Sequence, residues 1–386
     1  MTELTRKVNA LLAERQQKSN LRKLDCARTV SPTIILINGK ELINFASNDY
    51  LGLSHHPFLK ERAIKAIEQY GVGNPSSRFV SGNCELYDEI EYNLARLKGT
   101  EAALIFPNGF QTNLTVLHAL SKLNSFFFCD ELSHSSVLLG AQLGNRNFKR
   151  FAHNKLDHLK QLMDKERNNN KWIITESIFS MDGDLAPVDD LLLLSKTNNA
   201  YFYLDEAHAT GVFGNNGMGV LDSPDERTII MGTFGKGCGS FGAYIACSQT
   251  IKEYLINFCA GLIYTTALPP AILASIQAAL EIIPHMVSER QQLLENAHFL
   301  KTELEKIGFD TGDTKSQIIC LYLGSNELAL SLSQYLEQND IYARAIRPPT
   351  VPNNTARVRL SLSLVHSTLE IEQLITTLKY WYANKR

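Results

Sequence analysis

The sequence predicts an α/β fold: a mostly parallel sheet between helices, followed by a smaller α+β region. From about residue 58 to 250, apolar strand-like runs alternate with helical patterns, which is typical of parallel sheets covered on both faces. The last ~75 residues instead read strand, helix, strand, helix. We therefore expect an N-terminal helical and hairpin segment at 1–50, a large domain at 51–285 and a small C-terminal domain at 286–386.

The N-terminal segment is expected to form a helix and then a hairpin. Residues 1–18 have the pattern of an amphipathic helix, and Asn38-Gly39 separates two short apolar runs. Asn-Gly at such a place signals a tight two-residue turn, because both residues accept a positive φ.

The expected strands of the large domain are short apolar runs. In chain order they are AALIF, SFFFC, KWIITES, AYFYLDEA, RTIIMGTF and GAYIACS. Helical stretches such as LDHLKQLMDKE and VDDLLLLSKTN separate several of them. In such sheets ligands bind beyond the carboxyl ends of the strands, so residues that follow these runs are the functional candidates.

The C-terminal region begins with helices. Pro269-Pro270 precedes one helical stretch, and SERQQLLENAHFLKTELEKIG forms a second with heptad-like leucines. The small domain then reads SQIICLYLG (strand), ELALSLSQYLEQN (helix), ARVRLSLS (strand) and TLEIEQLITTLKYWYAN (helix).

Charge and cysteine content narrow the class of protein. The 38 basic and 40 acidic residues give a net charge of −2, which argues against a nucleic-acid partner. No apolar run reaches the roughly 18 residues of a membrane helix, and the N-terminus lacks the apolar core of a signal peptide. The seven cysteines form no CxxC pair and no zinc-type cluster. We expect reduced thiols, no metal and a cytoplasmic protein that does not bind membranes.

Lys236 is the one charged residue in TIIMGTFGKGCGSFGAYIAC, Thr228 to Cys247. A desolvated lysine tends to lose its proton and then becomes a Schiff-base nucleophile, although a solvated lysine on a glycine-rich turn explains the same pattern. Gly237, Gly239 and Gly242 also match GxGxxG. That match is weak, because the strand-like GAYIACS follows where a dinucleotide site needs a helix.

Three more motifs follow strand-like runs. Asp205 ends one run and His208 comes three residues later, a pair that suits either a ring nitrogen with its adjacent oxygen or a helix cap. In FPNGFQTN a helix is expected to begin near Thr112, which makes either a phosphate site or a plain turn. His134 follows the run that ends at Asp130 and suits either stacking on a planar ring or simple packing.

Taken together, these motifs predict a binding site for pyridoxal 5′-phosphate (PLP). This cofactor needs a lysine that forms an imine with its aldehyde and an acid that keeps its ring nitrogen protonated. It also needs an anion site for its phosphate, which a helix N-terminus provides. All the candidate residues fall at expected strand ends of one sheet.

The stretch TFGKGCGSFGAY resembles the PLP-lysine motif of the α-oxoamine synthases, which belong to fold type I of PLP enzymes. Further stretches agree from about residue 20 to 380: NFASNDYLGLSHHP, GNPSSRFVSGN, IFSMDGDLAPV, LDEAHATGVFG and LIYTTALPP. The resemblance implies a seven-stranded sheet and a homodimer with active sites at the subunit interface. AIRPPTVPNNTARVRLSLS is most similar to the member that joins L-alanine to a pimeloyl thioester, of coenzyme A or an acyl carrier protein, in biotin biosynthesis.

The resemblance also implies a role for each candidate residue. Lys236 would bind the cofactor aldehyde and take the α-proton, Asp205 would pair with the ring nitrogen, and His134 would stack on the ring. The other implied contacts are His208 and Ser180 at the ring oxygen; Gly109, Phe110, Thr233 and, from the neighbouring subunit, Thr265 or Thr266 at the phosphate; Arg347 with Asn48 at the amino-acid carboxylate; and Arg22 and Thr350 on the acyl side.

Alternatives from the same family differ in amino acid and acyl thioester. They are glycine C-acetyltransferase, 5-aminolevulinate synthase and the serine acyltransferase type. Two alternatives from other classes are a nicotinamide-dependent dehydrogenase, which would rest on the GxGxxG match, and a catalytically silent binding protein on the same scaffold.

Overall fold

The computed structural model describes residues 1–144, 147–168 and 170–384. The chain groups into two compact units. Unit 1 comprises Met1–Asn48, Met181–Asp184 and Gln292–Arg386, and unit 2 comprises Asp49–Ser180 and Leu185–Gln291. The N-terminal segment therefore falls in the same unit as the C-terminal region, and the three-part division expected from the sequence stays a prediction.

Strands and helices alternate along most of the described chain. The strands are β1 (Ala27–Thr29), β2 (Ile34–Ile37), β3 (Lys40–Asn44), β4 (Ala102–Phe106), β5 (Phe126–Asp130), β6 (Phe148–Phe151), β7 (Lys171–Glu176), β8 (Tyr201–Asp205), β9 (Thr228–Thr233), β10 (Ala243–Cys247), β11 (Ile318–Gly324), β12 (Ile341–Tyr342), β13 (Arg344–Ile346) and β14 (Ala356–Ser361). The helices are α1 (Glu3–Gln17), α2 (Pro57–Tyr70), α3 (Glu85–Lys98), α4 (Gly109–Ser121), α5 (Ser135–Leu143), α6 (Leu156–Asp164), α7 (Val188–Thr197), α8 (Gln249–Phe258), α9 (Ala260–Ile263), α10 (Pro270–Ile282), α11 (Val287–Ile307), α12 (Asn326–Gln338) and α13 (Thr368–Asn384).

Unit 2 contains a mostly parallel sheet of seven strands within the described residues. Their order is β4-β10-β9-β8-β7-β5-β6, and β10 alone runs antiparallel to its two neighbours. Every residue of β4, β9 and β10 is buried, because apolar side chains cover both faces of the sheet. The expected parallel sheet is therefore present.

The parallel strands bring polar residues to one edge of this sheet. Asp130, Glu176, Asp205 and Thr233 are the last residues of β5, β7, β8 and β9. Glu176 lies opposite Asp205 in the ladder between β7 and β8. Since the carboxyl ends of parallel strands meet at the same edge, residues far apart in the chain become neighbours here.

The glycines around Lys236 allow two loops to approach each other closely. A Cβ atom on Gly237 would lie 2.5 Å from the carbonyl oxygen of Thr210, and one on Gly211, whose φ is +96°, would lie 2.8 Å from Gly237. Gly242 directly precedes strand β10 rather than a helix. The glycine pattern therefore serves loop packing, and the dinucleotide alternative lacks its helix.

Among its described residues, unit 1 holds two smaller sheets, with strand orders β1-β2-β3-β12 and β11-β14-β13. The expected hairpin is present: Ile37 pairs with Lys40, and Asn38 and Gly39 take φ values of 50° and 85°. Helix α1 also forms as expected, but none of its residues is buried.

The described helices of the chain are short or too polar for the width of a bilayer when each is taken alone. In the described ranges, no individual helix has both the length and the apolar character to cross a membrane. The pair Pro270–His285 and Val287–Ile307, bent by 80°, meets that standard only when the two are taken together, by length and composition.

Candidate active site

The sheet edge of unit 2 borders a cavity of about 200 Å³. We call it the unit 2 cavity. Its lining residues are Gly109, Phe110, Asn113, His134, Ser136, Glu176, Asp205, Ala207, His208, Met231, Thr233 and Lys236. Seven residues singled out in the sequence thus meet in one place, whereas Asn113, Ser136, Glu176, Ala207 and Met231 are additions.

The Lys236 side chain contacts a histidine. Its Nζ lies 2.7 Å from His208 Nε2, and His208 Nδ1 lies 2.6 Å from the hydroxyl of the fully buried Tyr50. A lysine ammonium can only donate hydrogen bonds. When Lys236 is charged, Nε2 must therefore accept, which leaves Nδ1 to donate its proton to Tyr50.

Asp205 is a buried carboxylate held by two donors. Its Oδ1 accepts the backbone N–H of Ala207 at 2.9 Å, and its Oδ2 accepts the side-chain amide of Asn113 at 2.7 Å. Only 4% of the residue is exposed. These bonds fix the carboxylate at the end of β8, where it lines the cavity.

His134 is held at both its backbone and its ring. Its N–H donates to Glu176 Oε1, and its Nδ1 lies 2.7 Å from Ser136 Oγ and accepts the Ser136 N–H at 3.3 Å. Burial lowers the pKa of His134, partly opposed by the charge of Asp205, and Lys236 lowers it further. The ring is therefore a neutral imidazole whose position is fixed.

Glu176 stands beside the carboxylate of Asp205, at the neighbouring strand end. Burial, and then the nearby charge of Asp205, raise the pKa of Glu176 well above its usual range. The two neighbouring strand ends thus carry carboxyl groups with different surroundings, and Glu176 is the one that favours the neutral acid.

The N-terminus of α4 contributes Gly109 and Phe110 to the cavity lining. Asn108 caps this helix by accepting the N–H of Gln111 at 2.9 Å, so the helix begins three residues before the expected start near Thr112. The N–H groups of Gly109 and Phe110, in the first turn, have no intrahelical acceptor and suit an anion. Thr233 donates its hydroxyl to Gly242 at 2.8 Å.

The residues of this cavity fit PLP. A lysine amine, a carboxylate at a strand end, an imidazole ring and a helix N-terminus line one space, and these are the groups that the aldehyde, ring nitrogen, ring face and phosphate require. Within the described ranges, no cluster of His, Cys, Asp or Glu is arranged to hold a metal ion.

Three predicted cofactor residues lie outside this lining. Ser180 is half-buried in the chain after β7, and Thr265 and Thr266 follow α9. Thr266 is exposed and bridges to Ser77. Their roles stay predictions.

In unit 1, three of the four predicted substrate residues line one cavity of about 590 Å³, the unit 1 cavity. They are Arg22, Arg347 and Thr350, and the Arg22 guanidinium donates to Thr350 Oγ1 at 2.6 Å. Burial, then the charges of Arg22 and Arg344, lower the pKa of Arg347. Although Asp25 pairs with Arg344 at 2.8 Å, the cluster has an excess of positive charge that suits an anionic ligand.

The fourth predicted residue, Asn48, contacts a different arginine. Its Oδ1 accepts from Arg359 at 3.1 Å, and Arg359 also donates to Ser361 Oγ at 2.7 Å. Arg359 is 7% exposed and lies in β14, two residues before Ser361, the last residue of that strand. The predicted partnership with Arg347 would require Asn48 to line the unit 1 cavity. Asn48 is not among the described residues of that lining.

Sequence reasoning missed Asn113, Glu176 and Arg359, and two of them had a signal. Asn113 lies on the α4 face that carries the buried Val116 and Leu117, so it is a polar residue on an apolar stripe. Glu176 ends the apolar run KWIITE, as Asp205 ends YFYLD. Arg359 alternates with apolar residues in ARVRLS and looks like an ordinary strand position.

The chain is similar to a known family and to named proteins over most of its length. The family described as "Aminotransferase class I and II" matches this chain over residues 40–378. A protein of Desulfosudis oleivorans with the provisional name 8-amino-7-oxononanoate synthase is 46% identical over 377 residues, covering 97% of this chain and 98% of the relative.

Solved structures show the same similarity in three dimensions. Serine palmitoyltransferase from S. paucimobilis with a bound PLP–myriocin aldimine has a TM-score of 0.93 and 28% identity, covering 100% of this chain and 99% of the other. The 8-amino-7-oxononanoate synthase of Francisella tularensis has a TM-score of 0.76 and 29% identity, covering 89% of this chain and 98% of the other.

Proposed function

We propose that this chain, which belongs to the aminotransferase class I and II family, is a PLP-dependent 8-amino-7-oxononanoate synthase. It condenses L-alanine with a pimeloyl thioester, and releases carbon dioxide and the free thiol. The product, 8-amino-7-oxononanoate, is used in biotin biosynthesis. The observation that carries the proposal is the meeting of Lys236, Asp205, His134 and the α4 N-terminus around one cavity, in a chain similar over its length to enzymes of that name.

PLP, when bound, supplies an electron sink for the two steps that leave negative charge on the amino-acid α-carbon. Lys236 would hold the cofactor through its amine and, once released, take the α-proton of alanine. The 2.7 Å contact with His208 supports this role, because the imidazole can exchange a hydrogen bond with either protonation state of the amine.

Asp205 and His134 would orient the ring. The Asp205 carboxylate would pair with the protonated ring nitrogen, and the His134 imidazole would lie against the ring face. His208 and Ser180 are proposed at the ring oxygen. Gly109, Phe110 and Thr233 are proposed at the phosphate, where the first two offer N–H groups of the helix N-terminus.

The substrate residues belong to unit 1. The family resemblance implies Arg347 with Asn48 at the alanine carboxylate, but the hydrogen bond between Asn48 and Arg359 supports Arg359 in that role. Arg347, Arg22 and Thr350 share the unit 1 cavity, which suits the anionic acyl donor.

We further propose a homodimer in which Thr265 or Thr266 reaches the phosphate of the neighbouring subunit. Support comes from large apolar side chains on the two segments joined by the bridge between Ser77 and Thr266. Val80 is 81% exposed and Tyr264 is 84% exposed. Adjacent exposed apolar residues of this kind are typical of an interaction surface. The reaction would take place in the cytoplasm, in keeping with the seven free thiols of the described chain.

A product assay tests the function. Purified protein with PLP is given L-alanine, glycine or L-serine together with pimeloyl-CoA, pimeloyl-acyl carrier protein, acetyl-CoA, succinyl-CoA or palmitoyl-CoA, and products are identified by mass. We expect 8-amino-7-oxononanoate from alanine and one or both pimeloyl donors. Borohydride reduction followed by peptide mapping should place a pyridoxyl group on Lys236.

A serine acyltransferase is the second candidate, because the structural similarity to serine palmitoyltransferase has the higher TM-score. Turnover of serine with palmitoyl-CoA, and none of alanine with a pimeloyl donor, would establish it instead. A protein that stays colourless with added PLP would reject both candidates.

A further inference from the structure

We propose that Asn113 is a positioning residue whose side-chain amide holds the Asp205 carboxylate in place and fixes the tautomer of His134. The inference rests on the proposed cofactor site and adds a residue to it. The Asn113 side chain hydrogen-bonds to Asp205, Ser136 and Tyr203, so its effect would pass through Asp205 and, by way of Ser136, through His134.

Asn113 is the centre of a buried hydrogen-bond network. Its Nδ2 lies 2.7 Å from Asp205 Oδ2 and 3.0 Å from Ser136 Oγ, and its Oδ1 accepts the hydroxyl of Tyr203 at 2.7 Å. Asn113 is 1% exposed, and Ser136 and Tyr203 are fully buried. Both protons of the amide and its oxygen are thus used by buried polar groups.

Tyr203 determines which way the amide faces. Burial, and then the charge of Asp205, raise the pKa of Tyr203 well above its usual range, so the phenol keeps its proton and donates. A donating phenol needs the amide oxygen, which leaves the amide nitrogen facing Asp205. In the reverse orientation, the amide oxygen would face the Asp205 carboxylate oxygen. The amide N–H groups would then face the donating hydroxyl of Tyr203.

The second proton of the amide determines the state of His134. Because Ser136 Oγ accepts from Asn113, its own proton is free to donate to His134 Nδ1, 2.7 Å away. The Ser136 N–H also donates to Nδ1 at 3.3 Å. Nδ1 is therefore an acceptor, and the proton of the neutral imidazole lies on Nε2.

The network would control the proton that Asp205 shares with the cofactor ring nitrogen. Removing a donor from a carboxylate raises its affinity for a proton. Without Asn113 the N–H bond of the ring nitrogen would break and an O–H bond to Asp205 would form, with no other change in the atoms. A neutral ring nitrogen is a poorer electron sink, so the steps after alanine binding would slow.

The test measures that proton directly. Holoenzyme is prepared with PLP labelled with ¹⁵N in its ring, and the ¹⁵N chemical shift is recorded for wild type, Asn113→Leu, Tyr203→Phe and Tyr244→Phe. Tyr244 is a matched control: it is equally buried and its hydroxyl lies 2.8 Å from Thr210, outside the Asn113 network. Steady-state rates with alanine are measured on the same samples.

We expect a protonated ring nitrogen in wild type and in Tyr244→Phe, and a shift toward the unprotonated value in Asn113→Leu. In Tyr203→Phe the ¹⁵N chemical shift should move in the same direction by less. In that variant the Asn113 amide keeps both of its N–H donors but loses the phenol that orients it. In Asn113→Leu we expect kcat to fall about 10- to 100-fold with KM for alanine within about twofold, the fold-change of one lost hydrogen bond to a charged group.

Two results would overturn the inference. One is an Asn113→Leu holoenzyme with the wild-type ¹⁵N shift, which would leave Asn113 a packing residue. The other applies if that variant does not fold: a Tyr203→Phe holoenzyme indistinguishable from Tyr244→Phe. Failure of the wild-type protein to bind PLP would instead reject the proposed function, and it would be seen before any variant is compared.

Discussion

The unit 2 cavity and the unit 1 cavity are built in different ways. In unit 2, Asp205 and His208 are about 5% exposed or less, and buried polar groups hold them: Asn113, Ala207 and Tyr50. In unit 1, Arg22 and Thr350 are exposed and lie on irregular chain. The proposed chemistry therefore lies at a buried sheet edge, while exposed loops carry Arg22 and Thr350 on the proposed acyl side.

The comparison predicts that substitutions in the unit 2 cavity act on the rate and those in the unit 1 cavity on affinity. The largest effect is expected for Lys236→Ala, which removes both the amine that holds the cofactor and the proposed base. We expect kcat to fall about 10²- to 10⁴-fold, the usual contribution of a general base. Alanine should still bind, as measured by the change in absorbance of the bound cofactor.

The control for this variant is cofactor retention after gel filtration with PLP, which shows that the cavity is intact. Turnover by Lys236→Ala at more than a tenth of the wild-type rate would remove Lys236 from the mechanism. The contrast between the two cavities would then lose its chemical basis.

The second prediction concerns the contribution of a buried ion pair next to this site to the stability of the protein. Lys98 and Glu206 form an ion pair whose side chains are 1% and 0% exposed, and Glu206 also accepts the N–H groups of Val220 and Leu221 at 2.7 and 3.1 Å. Lys98→Met leaves that carboxylate buried without its cation. We expect the free energy of unfolding to fall by about 3–5 kcal/mol in urea denaturation.

The matched control is Lys196→Met, which breaks a pair with Asp225 at 3.7 Å whose side chains are 46% and 31% exposed. That change should cost less than about 1 kcal/mol. Equal effects of the two variants would contradict the view that the chain around the unit 2 site is held by buried charge.

The third prediction separates the two arginines of unit 1. Arg359→Lys should raise KM for alanine about 10- to 100-fold, because a lysine cannot replace a bidentate guanidinium–carboxylate pair. Arg347→Lys should instead raise KM for the acyl thioester, since Arg347 lines the cavity that holds Arg22. Steady-state kinetics with each substrate varied in turn measure both values.

An increase in the alanine KM for Arg347→Lys, with none for Arg359→Lys, would restore the original assignment of the carboxylate to Arg347. A fall in kcat for both variants with unchanged KM values would break the division between rate and affinity.

The sequence was sufficient for the sheet and for most of the cofactor side. Family, fold type and PLP cofactor are confirmed by the comparisons. Lys236, Asp205 and His208 follow apolar runs whose ends must meet at one sheet edge, so position in the chain predicts position in space. Ladder register cannot be read in this way, and the sequence therefore did not indicate that Glu176 lies beside Asp205.

The substrate side was harder to predict for a related reason. Asn48 and Arg359 are more than 300 residues apart, in a loop and in a strand, and no periodic pattern joins them. The resemblance supplied Asn48 and Arg347 as a pair, but tertiary contact decides which arginine a loop residue meets. Side-chain partners of this kind need coordinates.

The smallest expected effect compares two carboxyl groups within the unit 2 cavity itself. Burial and the charge of Asp205 raise the pKa of Glu176, so the folded protein keeps a proton that the unfolded chain releases above about pH 4.3. Folding stability from this group is therefore complete at low pH and is lost as pH rises, at no more than about 1.4 kcal/mol per pH unit. Glu176→Gln keeps an oxygen that can accept the His134 N–H and has no proton to lose. Between pH 5 and pH 8, the free energy of unfolding of Glu176→Gln should therefore rise relative to that of wild type, as measured by urea denaturation. The control is Glu226→Gln, at an exposed position, which should show no such trend. If the free energy of unfolding of Glu176→Gln instead falls relative to that of wild type as pH rises, Glu176 is charged in the folded protein. The two strand ends would then carry like charges rather than an acid beside a carboxylate.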